Sequence, residues 1–388
     1  MAPANLRKFE NELSSLPCLL AQREDIVLTQ MVPDQQFTER LEKAEFTLPV
    51  FQTIESLLSD PVLLSKDKGF LFPWGWSPAA HKRLSPLKAG CSQEFLNSPV
   101  CDWRDIHREL YSRKSALTIL QSIVNEANLD FLLKTSDIGE VCTDHDQIIA
   151  LQQKWGKVVV KAPWSSSGRG LQILRPDQYN QTNRQVITGY LRQQGFVVVE
   201  PWHNKVLDLS FQFFSFANSR IEFMGLSSFS TEQSGRYIGN YLQELPPVLA
   251  PDLQYFLNQT IGKVTLAIKK ALNESCYSTD YYGWLGVDAI IFRTTDGKLH
   301  FHPCIEINCR FTMGAIALSL RTHLSDGSTG EFRIMHGKEG DFAQFSEQKR
   351  GNEPLVIESG RIVSGYLSVT PELSESNFGA YISVKEMI

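Results

Sequence analysis

Residues 286–310 read GVDAIIFRTTDGKLHFHPCIEINCR. Two apolar runs flank Asp296-Gly297, a dipeptide suited to the left-handed backbone of a tight turn, so the segment reads as a β-hairpin with strands over 283–293 and 298–308. Asp288 interrupts the first run; Glu306 and Asn308 interrupt the second. An acid amid valine, alanine and isoleucine is costly to bury unless it is paired or bound to a cation. Glu306 and Asn308 are two residues apart and therefore share one strand face. Two carboxylates and an amide oxygen are hard donors of the kind that hold magnesium against nucleotide phosphates. Arg310 follows, able to grip a phosphoryl or carboxylate oxygen bidentately. The plainer alternative is a buried acid–arginine ion-pair cluster. Register decides whether the three donors meet. A two-residue turn sets Asp288 opposite Ile305 and turns it away from Glu306. A three-residue loop over 295–297, with Gly297 left-handed, sets Asp288 opposite Cys304 on the face of Glu306 and Asn308, so a shared site needs the longer loop or a bulge.

Working outward, residues 157–174 read KVVVKAPWSSSGRGLQIL. A strand of valines ends in Lys161, then Ser165, Ser166, Ser167, Gly168, Arg169 and Gly170 form a small-residue loop before a returning strand. Small residues let backbone N–H groups approach a polyphosphate, and a nearby lysine adds a point charge. No GK[ST] opens a helix, so this is not a Walker A motif, and a polar hairpin loop is the equal alternative. Residues 196–208, FVVVEPWHNKVLD, read as a buried strand ending in Glu200, Pro201 and Trp202, with Asp208 beyond. Such a segment can offer backbone edges to adenine and an acid to ribose hydroxyls, or simply mark a strand exit with proline.

Taken in order, lysine, serine/glycine loop, strand-end glutamate and Asp…Glu-x-Asn-x-Arg resemble the ATP-grasp superfamily over about residues 110–320. The resemblance implies two nucleotide-contacting lysines, matched by Lys161 and by Lys114 just before a helix. It implies Ser165 to Gly170 as the phosphate loop, Glu200 to Trp202 as the adenine hinge and Asp208 as the ribose acid. Asp288, Glu306 and Asn308 match its magnesium ligands, and Arg310 its catalytic arginine alongside Lys161. The loop departs from the usual glycine-rich form by its serines, and the spacing to Asp208 is slightly long. The implied fold is α/β with α+β lobes. A Rossmann-like pre-ATP-grasp domain is expected over 1–110, a small subdomain over 111–195, a large one over 196–330 and a C-terminal extension over 331–388 packed on it. The implied reaction is ligation: ATP, with two Mg²⁺ ions, converts a small-molecule carboxylate to an acylphosphate, which an amine or thiol then captures. A kinase or phosphotransferase and a non-catalytic nucleotide-binding protein are the alternatives.

Elsewhere the patterns are plainer. Helical spacing runs over 115–127 through Leu117, Leu120 and Val124, over 144–155 with a cap at Thr143 or Asp144, over 177–194, over 252–274 and over 314–323. Strands are expected at 25–30, 207–216, 220–230, 355–369 and 381–385, and a helix at 36–44. Residues 231–241 (TEQSGRYIGNY) either close over phosphates through Arg236 or form a surface loop. PWGWSP at 73–78 fits a core or lobe interface better than a ligand stack, and His300 and His302 fit a solvent-facing or hydrogen-bonded pair better than metal ligands. Cys304 and Cys309 flank the site without an identifiable base, which argues against a thiol nucleophile.

The chain has 388 residues, more than one core accommodates, since single cores stop growing near roughly 250–300. Lys+Arg 38 against Asp+Glu 43 leaves a net charge of −5, which lacks the basic excess of a nucleic-acid binder. Seven scattered cysteines without a CxxC indicate neither a disulfide framework nor a zinc site. No signal-peptide-like or membrane-spanning run is legible, so a cytoplasmic home is expected, with no membrane partner and a homodimer as the conceivable assembly.

Overall fold

The computed structural model describes residues 4–165, 170–176, 178–218, 220–232, 237–338 and 340–387. Among them the strands form three sheets. Near the N-terminus, Ile26–Thr29 and Val50–Thr53 run parallel. Helix Gln35–Lys43 connects them, its first turn capped by the Asp34 carboxylate, which accepts from Phe37 N at 2.8 Å. This single β-α-β unit is the parallel sheet of the region where a Rossmann-like domain was expected. Short helices fill most of the remainder to residue 110.

The second sheet has four strands, in the order Glu140–Cys142, Val197–Pro201, Val158–Lys161, Leu171–Leu174. Val158, Val160, Val197 and Val199 point to one side and form a core with Ile148, Leu151 and Ile187 from helices His145–Trp155 and Gln181–Gln194. Period-two alternation turns Lys161, Val198 and Glu200 to the other side. Val198 indeed belongs to the core of the larger lobe. Strand Val197–Pro201 lies beyond the expected 195/196 boundary. It pairs with both Val158–Lys161 and Glu140–Cys142, and those backbone ladders hold it in the small sheet.

The third sheet has nine strands. One half is the antiparallel set Leu299–Asn308, Tyr282–Arg293, Asn204–Phe216, Ile221–Thr231 and Tyr237–Tyr241. Leu209, Phe211, Phe213, Val287, Ala289 and Ile291 cover one face and pack against helices Arg113–Ala127 and Pro251–Asn273. The same alternation delivers Asp208, Ser210, Gln212 and Asp288 to the opposite face. Helix Arg113–Ala127 lies within the expected small subdomain, yet its apolar stripe is spent on the large sheet. The sheet continues through Ser328–His336, Phe378–Glu386, Arg361–Ser368 and Val356–Glu358. These C-terminal strands share a core with Leu16, Phe37, Leu41 and Phe46 from the N-terminal region. No described helix is long and apolar enough to cross a membrane.

Candidate active site

The hairpin turns through a three-residue loop. Thr294 N donates to Lys298 O at 2.9 Å, Gly297 N donates to Thr294 O at 2.9 Å, and Gly297 has φ +82°. Arg293 pairs with Leu299 and the register runs unbroken to Ile290 opposite His302. It then shifts, so that Asp288 faces Glu306 and not the expected Cys304. Pro303, which has no N–H to give a ladder, lies at the shift. Two extra residues on the second strand preserve facing parity, so Asp288, Glu306 and Asn308 stay on one side. Asp288 accepts from Asn308 Nδ2 at 3.1 Å and from Ser210 Oγ at 2.7 Å. Arg310 Nη2 donates to Asn308 Oδ1 at 2.8 Å. The two carboxylates thus confront each other across adjacent strands. Loss of solvation, with the Glu306 charge adding to it, pushes the Asp288 carboxyl up to about 7. Among the described residues no cluster of three or more His, Cys, Asp or Glu side chains is placed to hold a metal. Asn308 presents its amide N–H to Asp288 and its oxygen to Arg310, while Glu306 accepts from Arg113.

The second arm of the site is a residue the sequence reading passed over. Ser112 caps helix Arg113–Ala127, and Arg113 lies buried at its start. Its Nη1 donates to Ala162 O and Ser165 Oγ, and its Nη2 to Ser165 O at 3.3 Å and Glu306 Oε1 at 3.2 Å. One guanidinium therefore ties the serine/glycine loop of the small lobe to the carboxylate pair of the large one. Lys114 is exposed, and its ammonium reaches no partner among the described residues. The legible signal was the stripe Arg113, Ala116, Leu117, Leu120, spaced i, i+3, i+4, i+7, against the exposed Lys114, Thr118, Gln121.

The loop closes where Ala162 N donates to Gly170 O at 2.8 Å. A Cβ on Gly170 (φ +72°) would come within 2.7 Å of Ser165 Oγ. Trp164 anchors the approach, its indole N–H donating to Arg108 O at 2.9 Å. Ser166, Ser167, Gly168 and Arg169 lie outside the described residues, as does Arg236. Of the segment expected either to close over phosphates or to lie on the surface, Tyr237–Tyr241 is a strand.

Lys161 and Glu200 form a buried ion pair, Nζ to Oε2 at 2.5 Å, diagonally across adjacent strands. A Cβ on Gly139 would come within 2.5 Å of the Glu200 Cγ, so this position needs glycine. Pro201 pairs with Val158. Trp202 N donates to Lys157 O at 2.9 Å, while its ring is turned outward beneath the Lys157 ammonium. Asp208 accepts from Lys205 Nζ at 2.5 Å and from Thr231 Oγ1 at 3.1 Å. Burial raises its carboxyl and Lys205 opposes the rise. His302 is buried and not solvent-facing, and its Nδ1 has no hydrogen-bond partner among the described residues. His300 keeps the hydrogen-bonded form, Nδ1 lying 3.1 Å from Leu132 O. Burial pushes both the Cys304 and Cys309 thiols up, away from nucleophilic use. PWGWSP packs: Trp76 is buried, and Gly75 bridges Arg310.

A small four-stranded sheet beside a large antiparallel sheet that carries facing carboxylates fits the ATP-grasp fold, and the comparisons agree. Biotin carboxylase from Campylobacter jejuni superposes with a TM-score of 0.53 at 10% identity, over 98% of this chain and 86% of that one. The biotin carboxylase domain of Hydrogenobacter thermophilus 2-oxoglutarate carboxylase, solved as a dimer with magnesium ADP, ADP and bicarbonate, gives 0.52 at 12%, over 97% and 84%. The likeness to these structures is one of fold, the ATP-grasp fold. No family model matches the chain. A curated relative, the [butirosin acyl-carrier protein]–L-glutamate ligase of Niallia circulans, is 24% identical over 307 residues, 78% of this chain. The chain spans 64% of that relative's length.

Proposed function

We propose that this chain is an ATP- and magnesium-dependent ligase that activates a small carboxylate as an acylphosphate and joins it to an amine or thiol. The observation that carries this reading is the in-register confrontation of Asp288 and Glu306, bounded by Arg113 and Arg310. Two like charges side by side are destabilising unless a cation or proton lies between them. Bound at Asp288, Glu306 and Asn308, magnesium would neutralise charge on the transferring phosphoryl group. The reading takes two ions, because the two carboxylates and the amide offer more oxygen donors than one ion shared with phosphate and water uses.

The chain's own groups do the rest. Lys161 and the backbone from Ser165 to Gly170 hold the phosphates, with Arg113 supporting that loop from behind. Glu200, Pro201 and Trp202 border the base and Asp208 the ribose. Arg310 holds the substrate carboxylate in line with the γ-phosphorus. A carboxylate oxygen attacks phosphorus, the bond to the bridging oxygen breaks, and ADP leaves with that electron pair. The amine then attacks the acyl carbon, phosphate departs and the amine loses a proton. The Niallia relative, by name a ligase of L-glutamate and an acyl-carrier protein, supports a joining step after activation, and the Hydrogenobacter dimer supports a homodimer.

Hydroxylamine tests the reading. Supplied with Mg-ATP and a carboxylate panel, the protein should yield hydroxamate and ADP in equal amounts. AMP and pyrophosphate in their place would show activation by adenylation and end the acylphosphate reading.

A further inference from the structure

The C-terminal part of the large sheet carries a recess that the ligase reading leaves unused. Phe332 and Ile382 turn to the core they share with Leu16 and Phe37. Helix Met313–Arg321 gives Ile316 and Leu320 to that core, and its cap Thr312 donates to Gln212 Oε1 at 2.6 Å, so this is the side of the sheet that bears Asp288. Period-two alternation turns Glu331, Arg333, Tyr381 and Ser383 to the opposite side. The register sets Arg333 against Tyr381, Glu331 against Ser383 and Thr329 against Lys385. Tyr241 pairs with Glu331 from the third strand. Lys349 and Glu353, at the end of helix Asp341–Asn352, complete the border of a cavity of about 490 Å³, a size that holds a small metabolite.

The polar atoms around it are unevenly spent. Arg333 Nη2 and Nε both contact one oxygen of Glu331, Oε2, at 2.6 and 2.7 Å. Glu331 Oε1 and Arg333 Nη1 have no hydrogen bond among the described residues. Lys349 Nζ donates to Glu353 Oε1 at 2.6 Å and Ser383 Oγ to Glu353 Oε2 at 3.2 Å, so both oxygens of Glu353 are occupied. Among the described residues no carboxylate lies within ion-pair distance of Lys385, and the hydroxyls of Tyr241 and Tyr381 have no hydrogen-bond partner. Burial raises the Tyr381 hydroxyl and keeps it a donor. Three cations thus meet two acids, and the unused donors outnumber the unused acceptors. The occupant that fits is negative and rich in acceptors, with hydroxyls for the one free carboxylate oxygen.

We infer that this recess binds a small hydroxylated phosphomonoester, its phosphate on Arg333, Lys349 and Tyr381 and its hydroxyls on Glu331. A phosphate monoester brings three acceptor oxygens and close to two charges, and both cations give it charge-assisted hydrogen bonds. A carboxylate brings fewer oxygens and less charge. Because the recess opens on the side of the sheet away from Asp288, it fills independently of the nucleotide.

Equilibrium dialysis of the full chain against labelled ribose 5-phosphate tests this at low salt, where partly exposed cations are least screened. Binding should saturate at one site per chain and survive an excess of Mg-ADP. Unlabelled inorganic phosphate and malonate should compete at least about tenfold more weakly than unlabelled ribose 5-phosphate, and ribose should not compete. Arg333→Gln and Lys349→Gln should each weaken binding about tenfold or more, as loss of a charged hydrogen bond does. Both should keep the wild-type melting temperature, since the pairs they break are partly exposed and contribute little. Lys385→Gln should have a smaller effect. Displacement by Mg-ADP, with Arg333→Gln indifferent, would assign the phosphate to the nucleotide cleft and overturn the inference. Malonate binding as tightly as ribose 5-phosphate would overturn the choice of phosphate, and absence of binding at about 1 mM would overturn the site.

Discussion

Two carboxylates in this molecule stand in opposite situations. Glu200 is buried beside Lys161, its charge matched at 2.5 Å inside the small lobe. Asp288 has no such match, and what faces it across the strands is another carboxylate. The first arrangement is complete as it stands, although the reading gives Lys161 a phosphate to meet as well. The second is offset only in part, by Arg113 at 3.2 Å from Glu306, while Asp288 has no ion-pair partner among the described residues. Burial alone therefore does not mark a candidate functional acid; a second acid facing it is the stronger mark.

The largest effect should come from breaking the balanced pair. Glu200→Ala or Lys161→Ala strands a charge in the small lobe and should lower unfolding free energy by about 3–5 kcal/mol, read by denaturant melts. The double substitution Lys161→Met with Glu200→Leu removes both charges and should recover most of that loss, though not nucleotide binding. A double variant as unstable as the singles would show that the pair is not what stabilises this lobe.

The unbalanced pair should behave the other way. Glu306→Gln relieves repulsion with Asp288 but takes the carboxylate from the buried Arg113 guanidinium, so the melting temperature should change little. ADP formation should nevertheless fall by at least about a hundredfold. Loss of stability and activity together would assign Glu306 to the fold and count against the magnesium reading.

The contrast also shows what a sequence of this kind discloses. The hairpin was legible because Asp288, Glu306 and Asn308 interrupt otherwise apolar runs at fixed parity. Its two-residue register shift was not, since a bulge leaves the hydrophobic alternation on either side intact and Pro303 only hints at it. Lys161 and Glu200 were each marked by ending a valine strand, but their pairing was hidden because strand order is not written in local pattern. Arg113 was overlooked beside Lys114, although the helical stripe separates them. Strand Ser328–His336 and helix Asp341–Asn352 escaped notice because Glu331 and Arg333 break up the first and Asp341, Glu347, Lys349 and Arg350 leave the second polar. The single β-α-β unit near the N-terminus likewise borrows its core from the C-terminal strands, a long-range partnership that local composition does not reveal.

Arg113 touches the unbalanced pair and the loop at once, so it sharpens the comparison. Arg113→Lys keeps the charge and loses the planar fork that reaches Ala162, Ser165 and Glu306 together. It should cost about 2–3 kcal/mol of stability, since hydrogen bonds to charged groups are the stronger kind. KM for ATP should rise as the loop loses its support. An unchanged KM with lowered stability would restrict Arg113 to holding the lobes together.

The last effect is a slope, shallow over any one pH unit, and it reports on Asp288 directly. In metal-free protein its carboxyl sits near 7, raised by lost solvation and by Glu306 from an ordinary value of 3.8. Between those limits the folded state keeps a proton that the unfolded chain has released. The stability this contributes is full below about pH 3.8 and declines as pH rises towards about 7, by at most about 1.4 kcal/mol per pH unit. Mg-ATP should invert the trend, because a cation at this position displaces the proton and binds better once the proton is gone. Melting temperatures between pH 5 and 8, in EDTA and in Mg-ATP, should therefore diverge as pH rises. Asp288→Asn has no proton to exchange, so its two curves should run parallel. If the wild-type curves run parallel as well, proton and cation do not compete at Asp288, and the carboxylates that look incomplete are an ion-pair cluster after all.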